Sequence, residues 1–432
     1  MTLRYAYYGD DFTGSTDVLE QLAEGGIEAV LFLRPPDAGL LARFPKVEAI
    51  GIAGESRSRS PQWMDENLPA TFAALQEAAV VHYKTCSTFD SSPHTGSIGR
   101  ALEIGLESFG SPAAIVVGAP HMGRYVAFGN LFARAGIDVY RIDRHPTMSR
   151  HPVTPMHEAD LIRHLAGQTG TPISLVSLDR IQAGEAAAEF DNAVRTADAV
   201  LFDGVALADL AQTGEVLLSR KVRFVVGSSG VTRSLVLAWR KTGTIGDLIT
   251  PGPVREVQRL LVISGSCSPV TAQQIARAAQ QGFETLRVDV PALLSGESAE
   301  EERVTATVLA ALGSGRSCVV HSADGPLEAS EAPAGHRLGE VLGRIARTVI
   351  RQTGLRRVLF AGGDTSSHAV AQLGVDALTW AAPLEPGAPL VTSHSRDASV
   401  EGLQMVLKGG QIGGADFFEL ARRGTPSANR PT

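Results

Sequence analysis

The sequence is poor in the features that mark disulfide-linked, metal-binding and membrane proteins. Its 432 residues contain three cysteines, Cys86, Cys267 and Cys318, which are widely spaced and form no CxxC pair. This cysteine spacing predicts no disulfide framework. No HExxH or similar pair of histidines occurs, so no transition-metal site is predicted either. No apolar run approaches the roughly 18 residues that a membrane-spanning helix needs, and no cleavable leader opens the chain. We therefore expect a cytoplasmic protein in a reducing compartment.

Positive charge is also scarce relative to negative charge. The formal net charge is −7, and no basic stripe offsets it, which argues against nucleic acid as a partner. Local basic residues can still bind a small anion, because net charge governs solubility rather than the chemistry of one pocket. The expected partners are therefore small molecules, and a homodimer is left open.

Two common nucleotide-binding signatures are absent as well. The chain contains neither a GxxxxGK[ST] P-loop nor a GxGxxG dinucleotide fingerprint. It does contain short apolar runs, such as Tyr5–Tyr8, that alternate with amphipathic stretches, such as Ile98–Phe109. Apolar strands alternating with helices indicate parallel sheets covered on both faces. We predict an α/β fold of two domains, each a mostly parallel sheet flanked by helices, with the active site in the interdomain cleft.

A proline-containing segment divides the chain. Residues 245–257 (IGDLITPGPVREV) are interpreted as an interdomain hinge, and the strand–turn–helix pattern restarts after them. The predicted domains cover residues 1–246 and 258–422. Residues 423–432, rich in Pro, Ser and Asn, are predicted to be a disordered tail. A long helix is predicted over Leu338–Gln352.

Polar residues cluster where predicted strands of the first domain end, and they include Asp10, Asp11, Arg57, Lys84, Ser87, Thr88 and Asp90. Ligands of open α/β sheets bind beyond the carboxyl ends of the strands. Carboxylates, cations and nearby hydroxyls at these ends predict a site for a small polyhydroxylated acid. The alternative is that they are solvated loop ends, with Ser15 or Thr16 capping the first helix.

Glycine-rich turns follow three predicted strands of the second domain. Their residues of interest are Ser264, Gly265 and Ser266; Gly362, Gly363, Asp364 and Thr365; and Lys408, Gly409 and Gly410. Backbone N–H groups in such turns hold phosphate groups. One turn is weak support, and a lysine can be a mere surface charge, but three turns in one domain favour a nucleotide-phosphate site.

The segment at residues 141–161 (RIDRHPTMSRHPVTPMHEADL) carries several histidines and prolines, and the prolines predict an ordered loop rather than a helix. Its spacing is compatible with a packed surface loop. It is equally compatible with a lid or wall over the acid site, with Arg141, Arg144 or Arg150 reaching an anion. Both interpretations stay open.

Seven motifs, in this order over nearly the whole chain, resemble the four-carbon acid sugar kinases: DDFTGSTD, YKTCSTFDSSP, GRYVAFGNLFA, RHPVTPM, ISGSCSPVTAQQI, AGGDTSSHAV and LKGGQIG. Members of this family combine an N-terminal acid-sugar-binding domain with a C-terminal nucleotide-binding domain. They phosphorylate the 4-hydroxyl of tetronates such as threonate, erythronate or their oxo forms, using ATP. The CSTFD form looks like the 3-oxo-tetronate branch, whereas GRYVAFGNLFA and RHPVTPM differ from that branch, which leaves the exact substrate open.

The resemblance also implies which residues bind each substrate. The acid sugar would contact Asp11, Arg57 and the run Lys84, Thr85, Cys86 and Ser87. ATP would contact Ser264–Ser266, Gly362–Thr365 and Gly409–Gly410.

In phosphoryl transfer, the protein mainly positions the reacting groups and stabilises the charge that develops on them. Our hypothesis is that Asp11, or alternatively Asp10, accepts the proton of the attacking hydroxyl, while the other carboxylate orients the hydroxyl, binds substrate or helps to hold Mg²⁺. Lys84 and Arg57 would clamp the carboxylate of the acid, or Lys84 would meet the transferring phosphate. Lys408 would hold the ATP phosphates. Mg²⁺ is expected with ATP, without assigned protein ligands.

Two other classes fit parts of the pattern. A non-catalytic sensor of a small acid and a nucleotide would also have two domains, although a pure acid sensor has no need of the glycine-rich half. A nucleotide-dependent oxidoreductase acting on a similar hydroxy acid is weakened by the missing GxGxxG. The sugar-acid kinase is therefore the favoured prediction.

Overall fold

The computed structural model describes residues 3–151, 153–246, 249, 252–296, 298–323, 325 and 335–424, without the side chains at 364–366. Contacts divide the chain into two compact units, Met1–Ala29 with Arg34–Ile249, and Val30–Leu33 with Thr250–Thr432. The four residues Val30–Leu33, which fall in the predicted first domain, thus belong to the second unit. Positions 247, 248, 250 and 251 of the predicted hinge and 425–432 of the predicted tail lie outside the described residues.

A parallel sheet forms the centre of the first unit. Its strands are β1 (Tyr5–Gly9), β3 (Ala49–Ala53), β4 (Val80–Lys84), β5 (Ala113–Val116), β9 (Ile173–Val176), β10 (Ala199–Phe202) and β11 (Phe224–Gly227). They lie in the order β3-β1-β4-β11-β5-β10-β9. The strands β1, β4 and β11 are buried along their whole length, as expected for a sheet covered on both faces.

Helices cover this sheet. They are α1 (Phe12–Glu24), α2 (Ala38–Leu41), α3 (Pro61–Leu75), α4 (Ile98–Phe109), α5 (Leu161–Ala166), α6 (Leu178–Gln182), α7 (Ala186–Ala193), α8 (Leu207–Ser219) and α9 (Ser229–Lys241). Short 3₁₀ turns lie at Ser56–Ser58, Pro120–Met122, Ile142–Arg144 and Met148–Arg150. The helix predicted over Ile98–Phe109 is confirmed with the same bounds.

A small antiparallel sheet in the first unit was not predicted. Its strands are β6 (Arg124–Ala127), β7 (Asn130–Ala135) and β8 (Asp138–Arg141). The two-residue turn Phe128-Gly129 joins β6 to β7, and both residues have positive φ, 49° and 75°. Such turns match the twist of a hairpin, but an exposed phenylalanine at the first position hides the signal, because turns of this kind usually carry Asn, Asp or Gly there.

The second unit contains a mixed sheet. Its strands are β2 (Ala29–Phe32), β12 (Leu261–Ser264), β13 (Glu284–Arg287), β14 (Cys318–His321), β15 (Arg357–Ala361), β16 (Val375–Glu385), β17 (Ala388–Ser395) and β18 (Gln404–Lys408). The order is β13-β14-β12-β15-β18-β17-β16-β2. The first five strands in this order are parallel, whereas β17, β16 and β2 join by antiparallel pairing.

The helices of the second unit are α10 (Pro269–Gln280), α11 (Val290–Leu294), α12 (Ser298–Gly313), α13 (Gly335–Thr353), α14 (Gly363–Leu373) and α15 (Phe417–Arg423). The long helix predicted over Leu338–Gln352 is confirmed by α13. The last helix, α15, extends through Arg423, the first residue of the predicted tail. Within the described residues, no helix has the length and apolarity to cross a bilayer.

Strand register brings the predicted polar residues to common sheet edges. Lys84, at the end of β4, pairs with Gly9 of β1 on one side and Gly227 of β11 on the other. In the second unit, Ala361 at the end of β15 pairs with Ser264 of β12 and Lys408 of β18. The three glycine-rich turns therefore leave neighbouring strands at the same edge.

Candidate active site

Asp10, the first residue after β1, is fixed by hydrogen bonds of its own backbone. The amide of Asp10 donates to the carbonyl of Lys84 at 2.9 Å, and its carbonyl accepts from the amide of Arg57 at 3.0 Å. These bonds fix Asp10 between the end of β4 and the 3₁₀ turn at Ser56–Ser58. Its side chain is buried, and Oδ1 has no hydrogen-bond partner.

Asp11 is the N-cap of α1. Its Oδ1 accepts the amide of Gly14 at 2.5 Å and the hydroxyl of Thr13 at 3.2 Å. A carboxylate at this position satisfies an unpaired amide and faces the positive end of the helix dipole. The alternative that Ser15 or Thr16 caps the helix is wrong, since the helix already begins at Phe12.

An ion-pair network fixes the second carboxylate and a third one, Asp90. Arg57 Nη1 donates to Asp11 Oδ2 at 2.9 Å, and its Nη2 donates to the two oxygens of Asp90 at 3.2 and 3.0 Å. Asp90 also accepts the hydroxyls of Thr88, at 2.5 Å, and Thr154, at 2.7 Å. Arg57, which the resemblance assigns to the substrate, is thus shared between two carboxylates of the protein.

The segment at residues 141–161 contacts this network through Thr154. Arg141, one of the residues proposed to reach an anion, instead pairs with Asp143 at 2.5 Å. His145 Nδ1 accepts the amides of Thr147 and Met148, both at 3.2 Å. The described residues of this segment are thus held by contacts of their own, and the bond from Thr154 to Asp90 favours a part in the acid site over an unrelated surface loop.

The carboxyl groups of the site differ sharply in proton affinity. Burial and the neighbouring charge of Asp11 raise the pKa of Asp10 to about 7. Burial alone would also raise the pKa of Asp11, but Arg57, Lys84 and the Gly14 amide more than offset it, so the pKa of Asp11 is lowered. For Asp90, burial is likewise outweighed by Arg57 and the two threonine hydroxyls, which bring its pKa to about 2. Asp10 is the one of these three that takes up a proton near neutral pH.

The lysine at the end of β4 lies against the first turn of α1. Lys84 is buried, and its Nζ donates to the carbonyl of Thr85 at 2.9 Å. A Cβ placed on Gly14 would lie 2.8 Å from Nζ, so the ammonium group lies close to the backbone of this turn. The ammonium group therefore stands beside the Asp11 cap, where it can neutralise charge that develops at the site.

The remaining predicted residues of the first unit follow Lys84 in the chain. The amide of Thr85 donates to the carbonyl of Gly227 at 2.7 Å. Thr88 Oγ1 lies 3.1 Å from Cys86 Sγ. Ser87 is buried beside them. The structure thus brings Asp10, Asp11, Arg57, Lys84 and this run to one edge of the sheet.

The sequence placed Asp90 among the polar residues after β4 without giving it a role of its own, and neither Thr154 nor Arg124 was singled out for the site. Each lies inside a motif that carries the family resemblance, STFDSSP, RHPVTPM and GRYVAFG respectively. An aspartate followed by two serines is typical of an ordinary turn, so only the fold shows that Asp90 faces Arg57.

The glycine-rich turns of the second unit meet around Ser266. A Cβ on Gly410 would lie 2.7 Å from Ser266 Oγ, and one on Gly362 would lie 3.2 Å from the Ser266 amide. Gly362 has a φ of 112°, which side-chain-bearing residues rarely adopt. Ser268 caps α10 by accepting the amide of Val270 at 3.2 Å. This arrangement of close turns at a helix start suits a phosphate group.

Lys408 lies beneath these turns, fully buried. Its Nζ donates to Thr271 Oγ1 at 3.0 Å and lies 3.5 Å from the carbonyl of Gly410, which also accepts the Thr271 hydroxyl at 3.0 Å. Burial lowers the pKa of Lys408 to about 7. The lysine is thus bonded to the backbone of the turn rather than projecting from it. Of the other predicted residues, Asp364 and Thr365 have side chains outside the described set.

The described residues contain no group of three or more His, Cys, Asp and Glu side chains that could hold a metal ion. Mg²⁺ commonly binds proteins through one or two carboxylates together with substrate phosphates and water. One or two carboxylates would therefore suffice to complete the coordination of a Mg²⁺ ion carried by a nucleotide.

Comparison with known proteins gives a separate family match in each half of the chain. Residues 5–235 match the family described as "Sugar-binding N-terminal domain" and residues 261–418 match "Nucleotide-binding C-terminal domain". The chain is 44% identical to a 3-oxo-isoapionate kinase of Paraburkholderia graminis, covering 98% of this chain and 94% of the relative. It is 32% identical to a 3-oxo-tetronate kinase of Methylobacterium radiotolerans, covering 98% and 99%.

A solved structure shows the same fold over almost the whole length. Haemophilus influenzae protein HI1011 superposes with a TM-score of 0.68 at 25% identity, covering 96% of this chain and 99% of that one. Both domain matches, the two kinase relatives and this fold lead to one conclusion. The chain belongs to the four-carbon acid sugar kinase family and is a sugar-acid kinase.

Proposed function

We propose that the protein transfers the γ-phosphate of ATP to the 4-hydroxyl of a 3-oxo acid sugar, with 3-oxo-isoapionate as the favoured substrate and 3-oxo-tetronate as the next. The substrate choice is supported by the 44% identity to a 3-oxo-isoapionate kinase, against 32% to a 3-oxo-tetronate kinase. The observation that carries the reaction is a buried carboxyl group with an unpartnered oxygen, Asp10 Oδ1, in the sugar-binding unit.

Asp10 is the proton acceptor in this proposal. A general base works best with a pKa near the working pH, and the pKa of about 7 at Asp10 meets that condition. Asp11 does not, because the Gly14 amide and Arg57 occupy its oxygens and lower its pKa. The geometry thus favours Asp10 over Asp11, the reverse of the order that the sequence suggested.

Asp11, Arg57 and Asp90 then form the scaffold of the acceptor site. Their ion pairs connect the start of α1, the 3₁₀ turn after β3 and the loop after β4. Such a network holds Asp10 and Lys84 in place while the substrate binds. Lys84 provides positive charge for the phosphoryl group as negative charge spreads over its oxygens.

ATP would bind the second unit at the turns around Ser266, with the phosphates on backbone amides at the start of α10. Lys408 supports the Gly409–Gly410 turn through its bonds to Thr271 and Gly410. Mg²⁺ would bridge phosphate oxygens and reduce the repulsion between two anionic substrates. The thiols of Cys86, Cys267 and Cys318 are free, which fits a reducing, cytoplasmic location.

The substrate assignment is tested by measuring ADP release with 3-oxo-isoapionate, 3-oxo-tetronate, threonate and erythronate at fixed ATP and Mg²⁺. We expect the highest kcat/KM with 3-oxo-isoapionate, and a clear preference for both oxo acids over the two hydroxy acids. A higher kcat/KM with threonate or erythronate would refute the proposed substrate class while leaving the kinase activity intact.

Gly362→Ala is expected to weaken nucleotide binding. The substituted residue would be strained at a φ of 112°, and its Cβ would push on the amide of Ser266. We expect the KM for ATP to rise roughly tenfold, equivalent to about 1.4 kcal/mol, with the KM for the acid sugar unchanged. Gly374→Ala is the matched control, because Gly374 also has a positive φ, 77°, lies outside the turns, and has nothing within 4 Å of an added Cβ. Equal effects of the two substitutions would contradict a specific role for Gly362.

A further inference from the structure

The charges around the acceptor site leave the carboxylate of the acid sugar without an evident partner. Arg57 already serves Asp11 and Asp90, and Lys84 stands beside Asp11. With Asp10 ionised, the two cations face three carboxylates of the protein. An incoming carboxylate would be repelled at this point, so the binding of an acid requires a further cation.

Arg124, the first residue of β6, has the properties of that cation. Its Nη1 donates to the carbonyls of Met122 at 3.1 Å and Gly123 at 3.2 Å, which hold the side chain in place. Its Nε is buried and has no hydrogen-bond partner. Within the described part of the chain, no carboxylate forms an ion pair with Arg124 at 4 Å or less.

Arg124 also lies on the side of the site where the substrate is expected. Its amide and carbonyl pair with those of Ala119, just beyond the carboxyl end of β5, and β5 is joined to β4 through β11, so Arg124 lies at the same edge of the sheet as Lys84. Burial lowers the pKa of Arg124, and the opposing influence of Cys86 agrees with this position. Cys86 is two residues beyond Lys84, and Thr88 links it to Asp90.

A largely buried guanidinium without an anionic partner is costly in the free protein. The planar fork of arginine matches a carboxylate, and charge-assisted bonds of this kind are among the strongest in proteins. We infer that Arg124 binds the carboxylate of the acid sugar and so selects acids over neutral sugars. This inference rests on the proposed function and names the group that recognises its substrate.

The competing explanation is structural, because the bonds from Nη1 to Met122 and Gly123 could simply fix the turn before β6. Arg124→Met and Arg124→Lys separate the two roles, and Arg134→Met is the matched control. Arg134 lies in the neighbouring strand β7, where its Nη2 donates to Tyr125 Oη at 3.0 Å. Thermal melts verify that all three variants are folded.

The test compares the acid sugar with its neutral amide in steady-state kinetics, and adds calorimetric binding of the acid sugar without ATP. In Arg124→Met, we expect KM and Kd for the acid to rise roughly 10- to 100-fold, the usual worth of hydrogen bonds to a charged group. The KM for ATP and the KM for the amide should not change. In Arg124→Lys, the KM for the acid should lie between the values of the wild type and of Arg124→Met. Arg134→Met should behave like the wild type.

Two results would overturn the inference. One is an unchanged preference of Arg124→Met for the acid over the amide, and the other is an equal rise in KM for both compounds, which a structural role predicts. Calorimetric binding of the acid sugar separates a failure of this inference from a failure of the proposed function. A wild-type protein that binds the acid without phosphorylating it would refute the function, while loss of that binding in Arg124→Met would still support the role of Arg124. Absence of binding in the wild type would refute both.

Discussion

Replacing Asp10 by asparagine is expected to lower kcat by at least about 10²-fold, the range of lost general-base catalysis. The amide keeps the shape of the side chain and cannot accept a proton from the attacking hydroxyl. Because the proposal places the nucleotide in the second unit, the KM for ATP should stay within about twofold of the wild type. Steady-state kinetics with the best oxo acid measures both quantities.

Asp11→Asn is the matched control for this substitution. Its Oδ1 can still accept the Gly14 amide, so the start of α1 is kept, while the ion pair with Arg57 is weakened. We expect a smaller loss of kcat than in Asp10→Asn and a rise in the KM for the acid sugar. A larger loss of kcat in Asp11→Asn would instead assign the proton to Asp11.

The pH dependence gives a second readout of Asp10. Its pKa of about 7 means that kcat/KM should fall as the pH drops through 7, since the protonated carboxyl cannot act as a base. Folding raises this pKa, so the folded state binds the proton more tightly than the unfolded state does. The free energy of unfolding therefore decreases as the pH rises from about 4 to 7. Asp10→Asn has no ionisable group at this position, so it lacks this decrease in stability with rising pH. At pH 8 it should therefore melt no lower than the wild type, which separates lost catalysis from lost folding.

Asp90→Ala is expected to cause the largest loss of stability. The side chain of Asp90 is fully buried, and its removal leaves Arg57 with one carboxylate and two threonine hydroxyls without their acceptor. Breaking one partner of a buried ion pair costs about 3–5 kcal/mol. Urea denaturation followed by circular dichroism should show this decrease in the free energy of unfolding. The contribution of Asp90 should be present above about pH 4 and disappear as the pH falls through 2.

Asp65→Ala provides the comparison. Asp65 pairs with Arg100 at 2.5 Å, but its side chain is nearly half exposed. Exposed pairs contribute about 0–1 kcal/mol, so the denaturation curve should hardly move. Similar losses for Asp90→Ala and Asp65→Ala would contradict the view that the Arg57 network is a buried scaffold.

The sequence predicts the arrangement of the sheet edges better than the roles of single residues. Apolar runs such as β1 and β4 are continuous and end in polar residues, so the positions of Asp10, Asp11 and Lys84 follow from a parallel sheet alone. The position of Val30–Leu33 in the second unit does not follow, because β2 looks like any other short apolar strand. Its partner β16 is more than 300 residues away in the sequence.

The roles of the two aspartates could not be read from their spacing either. Adjacent residues at a strand end point in different directions, but which one caps the helix depends on where α1 begins. The structure shows that Asp11 is the cap and Asp10 is the buried group. Lys408 is a similar case, since a lysine before two glycines suggests an exposed phosphate ligand, whereas the strand register buries it beneath the turn.

The most direct test of the proposed reaction is ³¹P NMR of the products formed by wild-type protein from ATP, Mg²⁺ and 3-oxo-isoapionate. The proposal predicts a new phosphomonoester signal that grows in equal amounts with ADP, and a rate at least about 10²-fold lower with Asp10→Asn. ADP accompanied only by inorganic phosphate, or no ADP with either 3-oxo-isoapionate or 3-oxo-tetronate, would contradict it.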